Sequence, residues 1–310
     1  MSQVNAMVNK LLTDVSNKYT ITNPIADLVL PLIKVKQSTG IIGSYGYNHI
    51  RQENDLMGGK GKARQVDTAD RKMDQTYRVT PHGLSDIVTE DDYANVEEPF
   101  DAEIDATESL TSLVLINKEI LCRNVLLSPT LIPASVTLAG GDKFSAATST
   151  PLDVFATAFQ TILNNSGAVA NAAAMSYAVF LQLRKHPDLL RALGYADARP
   201  GMLSIEEVRD ALGLQYLFVS DAMVNTAKHG QPAVNQQIWG ADISVYHRAA
   251  TAGKNQICLG YQFKKIGKEN RLVYRNPVGN PPEATEVIVK DDYGYEVVNG
   301  GAGYRILASI

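Results

Sequence analysis

The forty residues from Lys36 to Gln75 restrict the fold of this chain more than any other segment. They are polar, rich in glycine and lysine, and too poor in apolar residues to bury a core of their own. So long a loop is unusual inside a compact domain. The segment is therefore expected to be either disordered or an extended hairpin that borrows stability from a neighbour. Its turn candidate is Gly58-Gly59-Lys60-Gly61. A self-sufficient enzyme has no use for such an element, whereas an interlocking assembly needs one.

The remainder has ample core material. With 310 residues, 45% hydrophobic and 20% charged, the composition fits one large or two modest globular domains. No run approaches the roughly twenty apolar residues that span a bilayer, and the opening MSQVNAMVNKLLTDVSNK lacks both a basic flank and a continuous apolar block. This argues against secretion and membrane insertion. Cys122 and Cys258 lie far apart and form no CxxC pair, so a disulfide framework or structural zinc site has no ligands, and a reducing compartment fits best. A net charge of -4 argues against gripping nucleic acid by phosphate neutralisation. DNA, if met, would be contained.

Val4, Met7, Val8, Leu11, Leu12 and Val15 fall on one helical face, giving a short amphipathic arm closed by Pro24. Such an arm packs on its own domain or binds a neighbouring subunit or assembly factor. Residues 25–35 read as an apolar strand. After an acidic stretch containing Asp86, Glu90, Asp91, Asp92, Glu97 and Glu98, Asp105 and Glu108 read as a capping pair for a long helix over about 104–127. A second helix starts at Thr150 and Pro151, buries Leu152, Phe155, Ala156, Phe159, Ile162 and Leu163, and closes at Asn165–Gly167. A third helical stretch is expected over about 172–185 and breaks at His186-Pro187. Ser204 and Glu207 form a capping box for a helix stopped at Gly213, and a buried strand follows over 214–219. Beyond Ile238 the sequence reads as strands, DISVYHR, QICLGYQF, RLVYR, EVIVKD, YEVV and GYRILASI, so the class is α+β.

Signals for chemistry are weak. GGKGK at 58–62 offers glycine amides and lysines, but a phosphate loop needs GxxxxGK followed by Ser or Thr; Ala63 follows Lys62, and Leu56 stands where the first glycine belongs. A solvated hairpin tip is the better reading. His49, His82, His186, His229 and His247 form no HExxH or HxxxH pair, and GxSxG and GxGxxG are missing. Glu90, Asp91 and Asp92 have the wrong spacing for a calcium loop and read as a solvated acidic turn. Trp239 reads as a core anchor. No catalytic, cofactor or metal residue is assigned. One covalent possibility is an isopeptide bond from Lys60 or Lys62 to an Asn side chain of a neighbouring subunit.

The succession of arm, strand, polar lysine- and glycine-bearing hairpin, acidic approach and helix 104–127 resembles that of tailed-phage major capsid proteins. The blocks TPLDVFATAFQTIL, ANAAAMSYAVFLQLRKHPDLLRAL, MLSIEEVRDALGLQYLFVSDAMVNTA and IWGADISVYHR resemble that family's axial-domain succession. The likeness runs from about Ile25 to Ile310, and the order of the blocks carries it. One departure is Ala170 before Asn171, where the family commonly has proline, which bears on a local turn.

The resemblance implies a Hong Kong 97 type fold. Residues 1–24 would be the N-terminal arm, 36–76 the extended loop, 151–275 the axial domain, and 25–35, 77–150 and 276–310 the peripheral domain with its spine helix. It implies no enzyme activity and no cofactor. The expected partners are other copies in pentamers and hexamers, portal and scaffold or decoration proteins, and double-stranded DNA enclosed without sequence-specific binding, with no membrane. With the chain opening directly on the arm, a separate scaffold or none is expected. Lys60, Lys62 and Arg64 are the candidate inter-subunit loop contacts. An encapsulin-like shell shares the fold and is the alternative. An unrecognised α/β enzyme is the alternative from another class, and it requires a concave pocket with convergent polar groups.

Overall fold

The computed structural model describes residues 7–19, 21, 23–45, 71–95, 101–194, 202–228, 230–251, 256–268, 270–279 and 282–310. Strand β1 (Met7–Val8) leads into helix α1 (Lys10–Lys18). The Asn9 side chain caps this helix, accepting from the Leu11 and Leu12 amides at 3.0 and 3.2 Å. The helix ends at Lys18, well before Pro24, which corrects the expected stop. Leu12 is buried with Leu110 and Val114, and Ser16 Oγ lies 2.8 Å from Thr111 Oγ1. The arm thus packs on its own domain, and Leu11 remains exposed.

Residues 25–35 are only partly strand: a helical turn, α2 (Ala26–Val29), precedes β2 (Leu32–Val35). Then come β3 (Thr39–Tyr45), β4 (Arg71–Arg78), β5 (Thr80–Thr89), α3 (Glu90–Asn95) and the long helix α4 (Ala102–Leu126). Asp101 caps α4 by accepting from the Glu103 and Ile104 amides at 2.9 and 3.3 Å. Asp105 and Glu108 therefore lie inside the helix, not at its cap.

Strand β6 (Ser135–Thr137) precedes α5 (Pro151–Ser166), which starts at Pro151 and stops at left-handed Gly167, φ 75°. The Thr150 side chain makes no cap bond; Asp188 supplies it from a separate helix, accepting from the Leu152 amide at 3.1 Å. On α5, Phe155, Ala158, Ile162 and Ser166 are buried, while Ala156 and Leu163 face solvent, contrary to expectation. The next segment divides. Residues Ala172–Ser176 form strand β7, and helices α6 (Tyr177–Leu183) and α7 (Pro187–Ala192) follow. Alanine favours helix, and a strand buried on both faces shows no alternation, so the local pattern misleads here.

Helix α8 (Ile205–Ala211) has its capping box, with Ser204 N bonded to Glu207 Oε2 at 2.8 Å and Glu207 N to Ser204 Oγ at 3.2 Å, and Gly213 is left-handed, φ 67°. Replacing Ser204 with alanine is expected to lower stability by about 1 kcal/mol in chemical denaturation. The chain finishes with β8 (Tyr216–Ser220), β9 (Met223–Asn225), β10 (Asn235–Gln237), β11 (Ile243–Tyr246), β12 (Gly260–Lys265), β13 (Leu272–Gly279), β14 (Pro282–Val297) and β15 (Gly303–Leu307). EVIVKD and YEVV are one strand.

Two main sheets result. One joins β1, β13, β14, β12 and β2 in that order, with β5 also paired to β14. The other runs β6-β15-β11-β7-β8. Strand β12, which precedes residue 276, pairs into the first sheet, and β6 and β15 pair into the second. Sheet membership is decided by pairing between distant residues, which a cut along the sequence cannot represent. Helix α4 spans both units. Its first half packs Leu110 and Val114 on Val88, Val273, Val287 and Val289; its second half packs Cys122 and Leu126 with Trp239 and Tyr246. Strand β7 sends Ala173 and Met175 to one core and Ala172 and Ala174 to the other. The architecture is α+β.

Candidate assembly site

Strands β3 and β4 form a separate two-stranded antiparallel ribbon, pairing Thr39 with Arg78 and Tyr45 with Arg71 around a register shift between Ile42 and Ser44. An isolated two-stranded ribbon is marginal in water. Its anchorage among the described residues lies at the root. The Val79 amide donates to Ser38 O at 2.7 Å, Tyr77 stacks on Phe263 with centroids 4.7 Å apart, and Ile42 and Tyr77 pack against Val79, Tyr261 and Phe263. A Cβ on Gly294 would come within 2.0 Å of Arg78 O, so glycine is required where β14 passes beneath the ribbon. On the opposite face of the ribbon, Ile41 is 62% exposed. The turn candidate 58–61 and the candidate contacts Lys60, Lys62 and Arg64 lie outside the described residues.

Two consecutive residues of α4 hold the segment 25–35 that leads to the ribbon. Lys118 is buried and its Nζ lies 2.6 Å from Asp27 Oδ1 and 3.3 Å from Asp291 Oδ2; Lys264 Nζ stands 3.6 Å from Asp291 Oδ1. The Lys118 ammonium also lies 5.0 Å from the centroid of the Tyr293 ring. Burial would push its pKa down, but Asp291 and Asp27 outweigh that and hold it above the ordinary lysine range. Glu119 accepts from Ile25 N (3.1 Å), Ala26 N (2.9 Å), Ser220 Oγ (3.0 Å) and Trp239 Nε1 (2.7 Å). Burial raises its pKa more than these bonds lower it. Trp239, wholly buried, is thus a core anchor as its sequence context indicates. No local signal in the sequence singles out Lys118 and Glu119, because adjacent charges are ordinary on a solvated helix face.

Asp27 carries a pH signature. Burial pushes its carboxyl up, but the Lys118 charge and hydrogen bond, with help from Gln262 and Lys264, pull it below the ordinary aspartate value. A depressed folded-state pKa contributes stability above the unfolded value of 3.8, and that contribution disappears as pH falls through the folded value. Thermal unfolding of the wild type and Asp27→Asn should therefore differ near neutral pH and converge in acid. A constant offset down to acid would refute this assignment.

Other chemistry-bearing groups serve structure. His186 Nδ1 accepts from the Asp188 amide at 3.2 Å, so its Nε2 carries the proton and faces Ser149 Oγ and Ala146 O, each at 3.0 Å. It cannot act as a base toward Ser149 in that tautomer. Asp92 accepts from Thr89 N at 2.8 Å and Thr89 Oγ1 at 2.7 Å, closing an exposed acidic turn. Cys122 and Cys258 are buried and free, and burial raises both thiols. A hollow beside His82, bounded by Pro81, Leu84, Ile288 and Lys290, holds about 270 Å³, below the usual range for small-molecule sites. Among the described residues no group of three His, Cys, Asp or Glu is arranged to hold a metal. His49 and His229 lie outside them.

No family model matches the chain. Over 253 residues it is 26% identical to the major capsid protein of Pseudomonas phage JBD67, covering 80% of this chain and 79% of that one. It is 21% identical over 278 residues to the major capsid protein of Burkholderia phage BcepMu, covering 84% of each. Among solved structures, a phage-related protein of Bordetella bronchiseptica superposes with a TM-score of 0.71 at 20% identity over 98% of both chains. The capsid of Cyanophage P-SCSP1u gives 0.53 at 9% identity, covering 93% of this chain and 89% of that one. The SrpI encapsulin of Synechococcus elongatus gives 0.51 at 13% identity, with 97% and 96% covered. The chain has the fold of phage capsid proteins, which encapsulin shells share.

Proposed function

We propose that this chain is the major capsid protein of a tailed double-stranded DNA phage, with a Hong Kong 97 type fold, assembling into pentamers and hexamers of an icosahedral head. Its likeness to phage major capsid proteins over four fifths of its length carries the reading. The ribbon supports it: β3 and β4 have no core of their own and gain stability when a neighbouring subunit covers them. Each added subunit engages several neighbours at once, so weak polar contacts combine into a cooperative shell. Lys60, Lys62 and Arg64 are the proposed loop contacts in that lattice.

The work is assembly without catalysis or cofactor. Portal and scaffold or decoration proteins are the further partners, and DNA is enclosed without sequence-specific binding. Shells form in the host cytoplasm and the product is the virion capsid. The likeness to SrpI encapsulin favours a second reading, a compartment that encloses protein. Sedimentation of the chain expressed alone, followed by analysis of particles from a phage-producing host, tests both. Rapidly sedimenting closed particles and DNA-filled heads are expected. Small shells filled with one enzyme would favour the compartment, and monomers under every condition would refute both.

A further inference from the structure

We propose that Lys118 and Glu119 of the long helix are positioning residues that hold the root segment 25–35 in a socket and thereby set the direction in which the ribbon leaves the subunit. The inference rests on the capsid reading for its consequence in assembly, but the socket is a property of the single subunit. The root meets buried partners from several elements. At its start, Glu119 takes the Ile25 and Ala26 amides. In its middle, Asp27 Oδ1 is held by Lys118 Nζ and by Gln262 Nε2, both at 2.6 Å. Among its carbonyls, Ala26 O accepts from Tyr295 OH at 3.2 Å and, farther along, Val29 O accepts from Tyr246 OH at 2.9 Å and Pro31 O from Gln262 N at 3.0 Å.

A four-residue helix has too few internal bonds to hold its own orientation; here only the Leu28 and Val29 amides bond within the turn, both to Ile25 O. The Ile25 and Ala26 amides and the Ala26 and Val29 carbonyls are satisfied from outside, so the surroundings decide the direction of the chain. Strand β2 then pairs in parallel with β12, and after three intervening residues β3 begins the ribbon. A change of a few degrees at the root is multiplied along the ribbon's length. Lys118 points to the first sheet through Asp291, and Glu119 to the second unit through Ser220 and Trp239. The two residues therefore register the ribbon against both units.

The test uses Asp27→Ala, whose side chain is half exposed, so the core survives its removal, with Lys118→Met as a second variant. Hydrogen exchange followed by mass spectrometry on the full chain should show residues 25–35 and 71–79 exchanging roughly ten-fold faster or more. Residues 172–176 and 243–246 should be unchanged. Particles of Asp27→Ala should be misshapen or widely spread in diameter by electron microscopy, with a subunit that still melts cooperatively and loses no more stability than Asp27→Asn does at neutral pH. Unchanged exchange at 25–35 in both variants would overturn the socket, whether or not the chain assembles. Faster exchange with wild-type particle diameter would overturn its role in direction. Failure of the wild type itself to form particles would count against the capsid reading, and the exchange result would still decide the socket.

Discussion

Glu119→Ala should lower the stability of the subunit by roughly 3–5 kcal/mol, because several buried donors lose their shared acceptor at once. The substitution leaves the Ile25 and Ala26 amides, the Ser220 hydroxyl and the Trp239 indole N–H without their acceptor. Each unpaired buried donor costs about 1–3 kcal/mol. The sum is offset by relief of the cost of burying the carboxylate itself. Glu119→Gln keeps one acceptor oxygen and should lose less. Urea denaturation read by tryptophan fluorescence suits the measurement, since Trp239 is the chain's single tryptophan and touches the mutated site. A loss under about 0.5 kcal/mol for the alanine variant, the range of ordinary surface substitutions, would show that the hub does not join the two units.

The second large effect is on assembly with the subunit left intact. Tyr45 and Arg71 face each other across the ribbon, so residues 46–70 can be replaced by a two-residue Asn-Gly turn without disturbing the root. The shortened chain should melt within a few degrees of the wild type, because Tyr77, Phe263 and Val79 keep their packing. Closed particles should disappear. Normal shells from this variant would remove the ribbon from the assembly mechanism.

The sequence revealed the elements whose cause is local. The Ser204–Glu207 box, Pro151 and the two stop glycines at 167 and 213 depend on a few neighbouring residues and stand where spacing puts them. Residues decided by tertiary contacts were misread. Ala172–Ser176 looks helical because alanine prefers helix, and becomes a strand because cores lie on both its faces. The α5 cap comes from Asp188, which no window around Thr150 contains. The described ends of 36–75 form a ribbon separate from the two main sheets, and that the segment has no core of its own was legible from composition. The Lys118–Glu119 hub was not, because its partners Asp27, Ser220, Trp239 and Asp291 come from across the chain.

Cryo-electron microscopy of particles formed by the purified chain tests the interlocking shell most directly. The account predicts icosahedral shells of pentamers and hexamers in which residues 46–70 of each subunit lie against a neighbour, with Lys60, Lys62 and Arg64 at the contact. Shells whose ribbons point into solvent without touching another subunit, or a chain that stays monomeric at every concentration and salt tried, would contradict it.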